Sequence, residues 1–248
     1  MERYERQEGI IFRNFRIGEY HKGVRVFTSE NGIMDLTAYG GYKGKSRLGP
    51  MVAPITSGTF TLYRKPGIKT IKIEEFNPDN VFFDIKSNLT KYNAVLLWFE
   101  IILRSHGGGD SSAEIYSLLL ESMELLESSP ESREPSMTNQ FLLRILMLFG
   151  YPLETDLCQI CNEKTDKKSY LYFQKSHSVI LCSKCRTSEN TVISPGILRY
   201  IDYTMANDLS SASRILLDRN DTAQLREILL VKIQSVLECT LNTARICE

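Results

Sequence analysis

The chain has 248 residues, enough for one large domain or two small ones with a sizeable core. Its 30 Lys and Arg balance 30 Asp and Glu, so overall charge selects no class of partner. The best apolar run, Ala94 to Phe99, stops at Glu100, far short of a bilayer span.

The opening Met1-Glu2-Arg3-Tyr4-Glu5-Arg6 is charged and lacks the apolar stretch of a secretory leader, so a cytoplasmic chain with no membrane partner is expected. Charge is unevenly placed. Residues 10–72 carry 11 basic and 3 acidic side chains, which points to a polyanion-binding surface at that end.

The first 75 residues read as short strands. Gly9–Arg13, Val24–Thr28, Gly32–Ala38, Gly58–Tyr63 and Thr70–Ile73 are rich in β-branched and aromatic residues and bounded by turn formers. Asn31-Gly32 supplies positive φ angles for a hairpin. Five strands without a helical period predict an OB-type β-barrel over 1–79, with an SH3-like barrel as the nearest alternative.

Between the third and fourth strands lies Gly40-Gly41-Tyr42-Lys43-Gly44-Lys45-Ser46-Arg47. A phosphate-binding P-loop would need glycine where Tyr39 stands, and a helix that Leu48-Gly49-Pro50 cannot start cleanly. The stretch instead reads as a basic loop. Lys43, Lys45 and Arg47 suit a phosphodiester backbone, and Tyr42 is available for base stacking. Arg13, Arg16, Lys22 and Arg25 crowd the same barrel and join the candidate DNA-binding set.

From residue 80 the period becomes helical. Asn88 is placed to cap a helix carrying Leu89, Tyr92, Val95, Phe99 and Ile102 on one face, ended by Gly107-Gly108-Gly109, which reads as a plain loop. Further helices run through Ile115–Leu126 and Phe141–Leu148. After residue 190, Ser194-Pro195 is a cap with proline in the first turn, and the last long helix is expected to start at Asp221.

Two C-x-x-C knuckles, Cys158/Cys161 and Cys182/Cys185, are separated by twenty residues. Each aims two sulfurs at one point, and together they complete a tetrahedron. Tyr170–Phe173 and Ser178–Leu181 read as two strands between them. The expectation is one structural Zn²⁺ per chain in a ribbon at about 156–190, inserted in a helical domain spanning 80–248. A disulfide pair lacks a secretory signal, and a thioredoxin-like redox centre lacks its βαβ frame. His177 reads as a turn residue. Cys239 and Cys247 read as lone buried or terminal thiols.

Recognisable hydrolase, metalloprotease and dinucleotide motifs are missing, so the α+β chain reads as a binding module, with no catalytic residues. The order of its pieces resembles the RecO family of bacterial DNA repair and recombination mediators. Gly9-Ile10-Ile11-Phe12-Arg13 looks like that family's opening strand, and Lys45-Ser46-Arg47-Leu48-Gly49 like its basic loop. Gly150-Tyr151 precedes the first knuckle, and Ile193-Ser194-Pro195 follows the second. The likeness covers nearly the whole chain.

The resemblance implies binding of single- and double-stranded DNA, annealing of complementary strands, and contacts with RecR and the C-terminal tail of single-strand-binding protein. It also implies help in loading RecA, and a nucleoid-associated place in the cytoplasm. His21 stands where an acidic residue is usual, Asn162 replaces a glycine common after the second cysteine, and Thr240–Glu248 lacks the usual basic ending. A metal-dependent DNA-processing enzyme with dispersed carboxylates and a zinc-stabilised assembly adaptor are the rival readings.

Overall fold

A computed structural model describes residues 4–246; the first three residues, Cys247 and Glu248 lie outside the described residues. Five strands form a closed barrel: β1 (Tyr4–Ile17), β2 (His21–Thr28), β3 (Gly32–Ala38), β4 (Ser57–Arg64) and β5 (Ile71–Asn80). Their order is β1-β2-β3-β5-β4, closed by β1 against β4, and β3–β5 is the parallel pair. That is the OB arrangement and not the SH3-like one.

Alternation builds two cores from the same strands. Ile11, Val24, Val26, Leu36, Phe60 and Ile73 point inward and fill the barrel. Ile10, Phe12 and Phe27 point outward and are equally buried, because helices cover that face. Phe12 stacks on Phe99 with ring centroids 3.9 Å apart, and Phe27 tilts against Tyr116. Truncating a buried ring of this kind costs about 3–5 kcal/mol, so the barrel and the helices are strongly joined.

The helices are α1 (Leu48–Met51), α2 (Phe83–Ser87), α3 (Leu89–Arg104), α4 (Ser112–Ser128), α5 (Glu134–Leu148), α6 (Pro195–Ala206), α7 (Leu209–Ala212) and α8 (Arg219–Val236). Asn88 caps α3 by accepting the Lys91 N–H at 3.0 Å, and Ser194 caps α6 by accepting that of Ile197. Trp98 stacks on Phe141 where α3 crosses α5.

Four local expectations need correction. A short helix, α1, does start at Leu48, because Pro50 sits in its first turn, where no N–H partner is lost. In the β2–β3 turn only Gly32 has positive φ (61°); the Asn31 N–H instead donates to the Thr28 hydroxyl. Helix α8 begins two residues early, capped by Asp218, which frees Asp221 to accept the Ser194 hydroxyl and tie α8 to α6. Gly107 is buried in a left-handed turn (φ 81°), where a Cβ would press on Phe27 and Ile33. That glycine run seats α3 and α4 on the barrel and is not a plain loop.

The end of the described chain folds back onto α3. The Glu100 carboxylate accepts the N–H groups of Asn242 (3.0 Å) and Thr243 (2.8 Å) and the Thr243 hydroxyl (2.6 Å). Burial opposes ionisation of Glu100, but these donors and Arg104 outweigh it and hold the carboxyl below its ordinary value. A depressed folded pKa contributes stability that is present above the unfolded value and is lost as pH falls through the folded one. Protection of Asn242 and Thr243 relative to the unfolded chain should therefore fall on acidification below the ordinary carboxylate range, and Glu100→Gln should weaken it already at neutral pH. Protection that ignores both changes would contradict this docking.

Candidate metal centre and nucleic-acid interface

The cysteine ribbon is a three-stranded sheet, β7-β6-β8, of β6 (Leu171–Gln174), β7 (Val179–Leu181) and β8 (Thr191–Ile193). The third strand is three residues long and escapes a periodicity reading. Its inner face, Leu171, Phe173, Ile180 and Ile193, packs into the helical core. Its outer end carries the knuckles, where Cys158, Tyr172 and Leu181 form a small separate core.

In the first knuckle the Cys158 N–H donates to the Glu163 carbonyl, and the Asn162 N–H to the Cys158 carbonyl. Asn162 takes φ 58°, a left-handed conformation that asparagine tolerates. The Gln159 side chain accepts the Ile180 N–H at 2.7 Å, fixing this knuckle to β7. Strand β7 runs directly into Cys182, and the Cys185 N–H closes the second turn on the Cys182 carbonyl.

All four sulfurs lie within 4.8 Å of one another, with Cys161 and Cys182 3.8 Å apart. A tetrahedron with metal–sulfur bonds of about 2.3 Å has edges of about 3.8 Å, so the donor set fits one soft tetrahedral ion. As thiols, Cys158 and Cys185 are shifted in opposite directions. Burial resists ionisation of Cys158, but the N–H groups of Cys161, Cys182 and Ile160 prevail and pull it down to about 6. Cys185, beside the Cys161 sulfur, is pushed up to about 12. A dication at the centre removes that mutual repulsion, so metal binding and ionisation go together. His177 lies outside the sulfur cluster, in the β6–β7 turn, beside the Ser176 hydroxyl. Cys239 has no such cluster among the described residues.

The eight basic and aromatic candidates divide between two places. At one end of the barrel, Arg16 and Lys22 are cross-strand partners and both approach the Tyr42 ring, at 5.8 and 5.1 Å. Lys43 lies 5.6 Å from the Tyr20 ring, and the His21 ring meets Tyr39 edge-on. Tyr20, Tyr39 and Tyr42 are each about half exposed, and Lys45 and Arg47 are exposed with no ion-pair partner among the described residues. Lys22 is the constrained member. Its ammonium donates to the Gly49 carbonyl at 2.6 Å, and burial lowers its pKa.

Arg13 and Arg25, also cross-strand partners, sit elsewhere, in a cleft of about 810 Å³ between the barrel and α3. Arg25 is held by both oxygens of Asp35, at 2.7 and 2.6 Å, which raises its pKa and lowers that of Asp35. Sequence reasoning missed Tyr20 and Tyr39 at the first place and Arg104 and His106 at the second. Aromatics clustered around two turns were the available signal for the tyrosines.

Comparison of the sequence with known proteins identifies its family. The model described as Recombination protein O N terminal matches residues 1–76, and Recombination protein O C terminal matches residues 86–243. A DNA repair protein RecO of an Exiguobacterium species is 22% identical over 240 residues, covering 97% of this chain and 94% of that protein. One from Dehalococcoides mccartyi is 25% identical over 232 residues (92% and 89%), and one from Listeria monocytogenes 27% over 182 (73% and 68%). With both parts matched in order, the chain belongs to the recombination protein O (RecO) family, whose role is in DNA repair and recombination.

Proposed function

We propose that this chain is a non-enzymatic mediator that binds single- and double-stranded DNA, anneals complementary strands and, with RecR, helps load RecA onto DNA coated by single-strand-binding protein. The observation that carries the reading is the barrel end, where Arg16 and Lys22 lie against an exposed Tyr42 and Lys43 against an exposed Tyr20. Cations there neutralise phosphates and lower the repulsion between two strands, while the aromatic faces stack bases without reading sequence. In this reading residues 1–79 are the DNA-binding barrel, and 80–248 are the helical part with its insertion at about 156–190. The chain acts in the cytoplasm, at the nucleoid.

The ion in the ribbon is Zn²⁺. Four thiolates leave no open coordination position, so it holds structure and performs no chemistry. In this reading the C-terminal tail of single-strand-binding protein docks in a groove of about 960 Å³ between α5 and α8. Leu217, Leu230, Val231 and Leu241 line it, with Arg219 beside them, while Arg226 is already paired with Glu134 at 2.8 Å.

Binding to a labelled single strand at two salt concentrations tests the reading against an assembly adaptor. Phosphate contacts make log K fall linearly with log salt, at about 0.7 per contact. Affinity that is negligible at low salt would contradict DNA binding, and Mg²⁺-dependent cleavage tracking the pure protein would favour the enzyme.

A further inference from the structure

The two most exposed large apolar side chains among the described residues are Phe83 (74%) and Leu89 (73%), well above the next at 56%. They open consecutive helices, α2 and α3. An ion pair between Asp84 and the buried Lys91 ties those first turns together, and Lys91 also donates to the Glu127 and Ser129 carbonyls. Scattered single hydrophobics on a surface need no explanation, but two held rigidly on adjacent clamped turns do.

The backbone is set to present them. Phe82 is fully buried with φ 50°, a left-handed conformation that an aromatic residue seldom adopts, and its N–H is taken by the Asn80 side chain at 3.1 Å. That turn sends Phe82 into the core and the next residue, Phe83, into solvent. Strain of this kind persists where the surroundings enforce it, which suits a presenting site. Both oxygens of Glu127 accept N–H groups of Asp84 and Ile85, at 2.9 Å each. Glu131 likewise holds Asn88 and Thr90.

Charge says what this face accepts. The segments that build this face, residues 79–92 and 124–131, hold five acidic and two basic side chains. Of the two bases, Lys91 is buried and paired, and Lys86 is partly buried on the Thr56 hydroxyl with its pKa lowered by desolvation. Asp79, Asp84, Glu124 and Glu131 are exposed. Such a field repels nucleic acid and acidic peptides and steers a cationic partner.

We infer that the Phe83–Leu89 face is a docking surface for a partner protein segment that carries apolar anchors flanked by Lys or Arg. Aromatic and aliphatic anchors fixed before binding lose little freedom on association, so two of them can dominate a small interface. This face lies on α2 and α3 and is separate from the tyrosine-and-lysine end of the barrel, so the inference does not rest on DNA binding.

The test uses the full chain and a labelled 14-residue helical peptide with Leu on one face and Lys elsewhere. Two controls replace every Lys by Glu, or every Leu by Ser. The Lys/Leu peptide should bind, both controls should bind at least tenfold more weakly, and Phe83→Ser/Leu89→Ser should lower Lys/Leu affinity at least tenfold. The double variant should keep the parent's helical signal, metal content and DNA affinity, because both side chains are exposed. Equal binding by the double variant would overturn the inference, as would equal binding of the Glu/Leu peptide. Self-association of the parent that the double variant loses would instead make this face a contact between copies, and would also overturn it.

Discussion

Replacing Cys182 with Ser is expected to strip the metal and melt the outer half of the ribbon, while the helical body stays folded. The strands of this sheet are three or four residues long, too short to hold themselves together. At the knuckle end the small core of Cys158, Tyr172 and Leu181 has little apolar area to offer. Structural zinc contributes apparent free energies of about 10–16 kcal/mol in comparable small units, far more than such a core can replace. The other face differs. Leu171, Phe173, Ile180 and Ile193 are buried against helices and should keep their protection.

Metal analysis of the parent should give about one Zn²⁺ per chain, and of Cys182→Ser close to none. Exchange at the Cys158, Asn162 and Cys185 amides should rise steeply, with helical circular dichroism almost unchanged. Parent protein free of metal after zinc-replete expression, with four equally reactive thiols, would contradict the site.

The second large effect concerns the loop before α1. Replacing Lys43, Lys45 and Arg47 together with Ala removes up to three phosphate contacts. On single strands the slope of log K against log salt should fall in magnitude by about 2, at ~0.7 per contact. Between 50 and 200 mM salt that difference amounts to roughly 20-fold in affinity. The loss should be nearly independent of DNA sequence, because phosphate contacts position without specifying. Tyr42→Ala should weaken binding by about 1–3 kcal/mol with little change of slope. Because Lys22 and Arg16 lean on that ring, the tyrosine variant also tests whether it positions them. An unchanged slope in the triple variant would make this loop a solvated one and leave Arg16 and Lys22, or Arg13 and Arg25 in the cleft, as the DNA surface.

What the sequence made legible was local. Two C-x-x-C turns carry their geometry in four residues each, so Cys158, Cys161, Cys182 and Cys185 converge as their spacing predicts. Asn88 and Ser194 cap helices by the same short-range logic. Pairings distant in sequence were hidden. The run Gly9-Ile10-Ile11-Phe12 reads as a strand, but nothing in it says that Phe12 stacks on Phe99 of a helix. The parallel β3–β5 pairing joins segments that no turn connects.

Charges were the least legible. Lys91 looks like any helix-surface lysine, yet it is buried beneath Asp84. Lys22 reads as a free cation until Gly49 is brought to it. Arg25 and Asp35 were the recoverable case. They sit directly opposite across the β2–β3 hairpin, so the register around Gly32 would have paired them.

The central claim is that this chain brings complementary strands together through its barrel end, without turnover. The most direct measurement follows two labelled complementary single strands at low salt, without ATP or Mg²⁺, with the parent protein and with Lys43→Ala/Lys45→Ala/Arg47→Ala. The account predicts pairing well above the spontaneous rate with the parent, and a large loss with the triple variant at equal metal content and helicity. Pairing no faster than in buffer, or equally fast with both proteins, would contradict it.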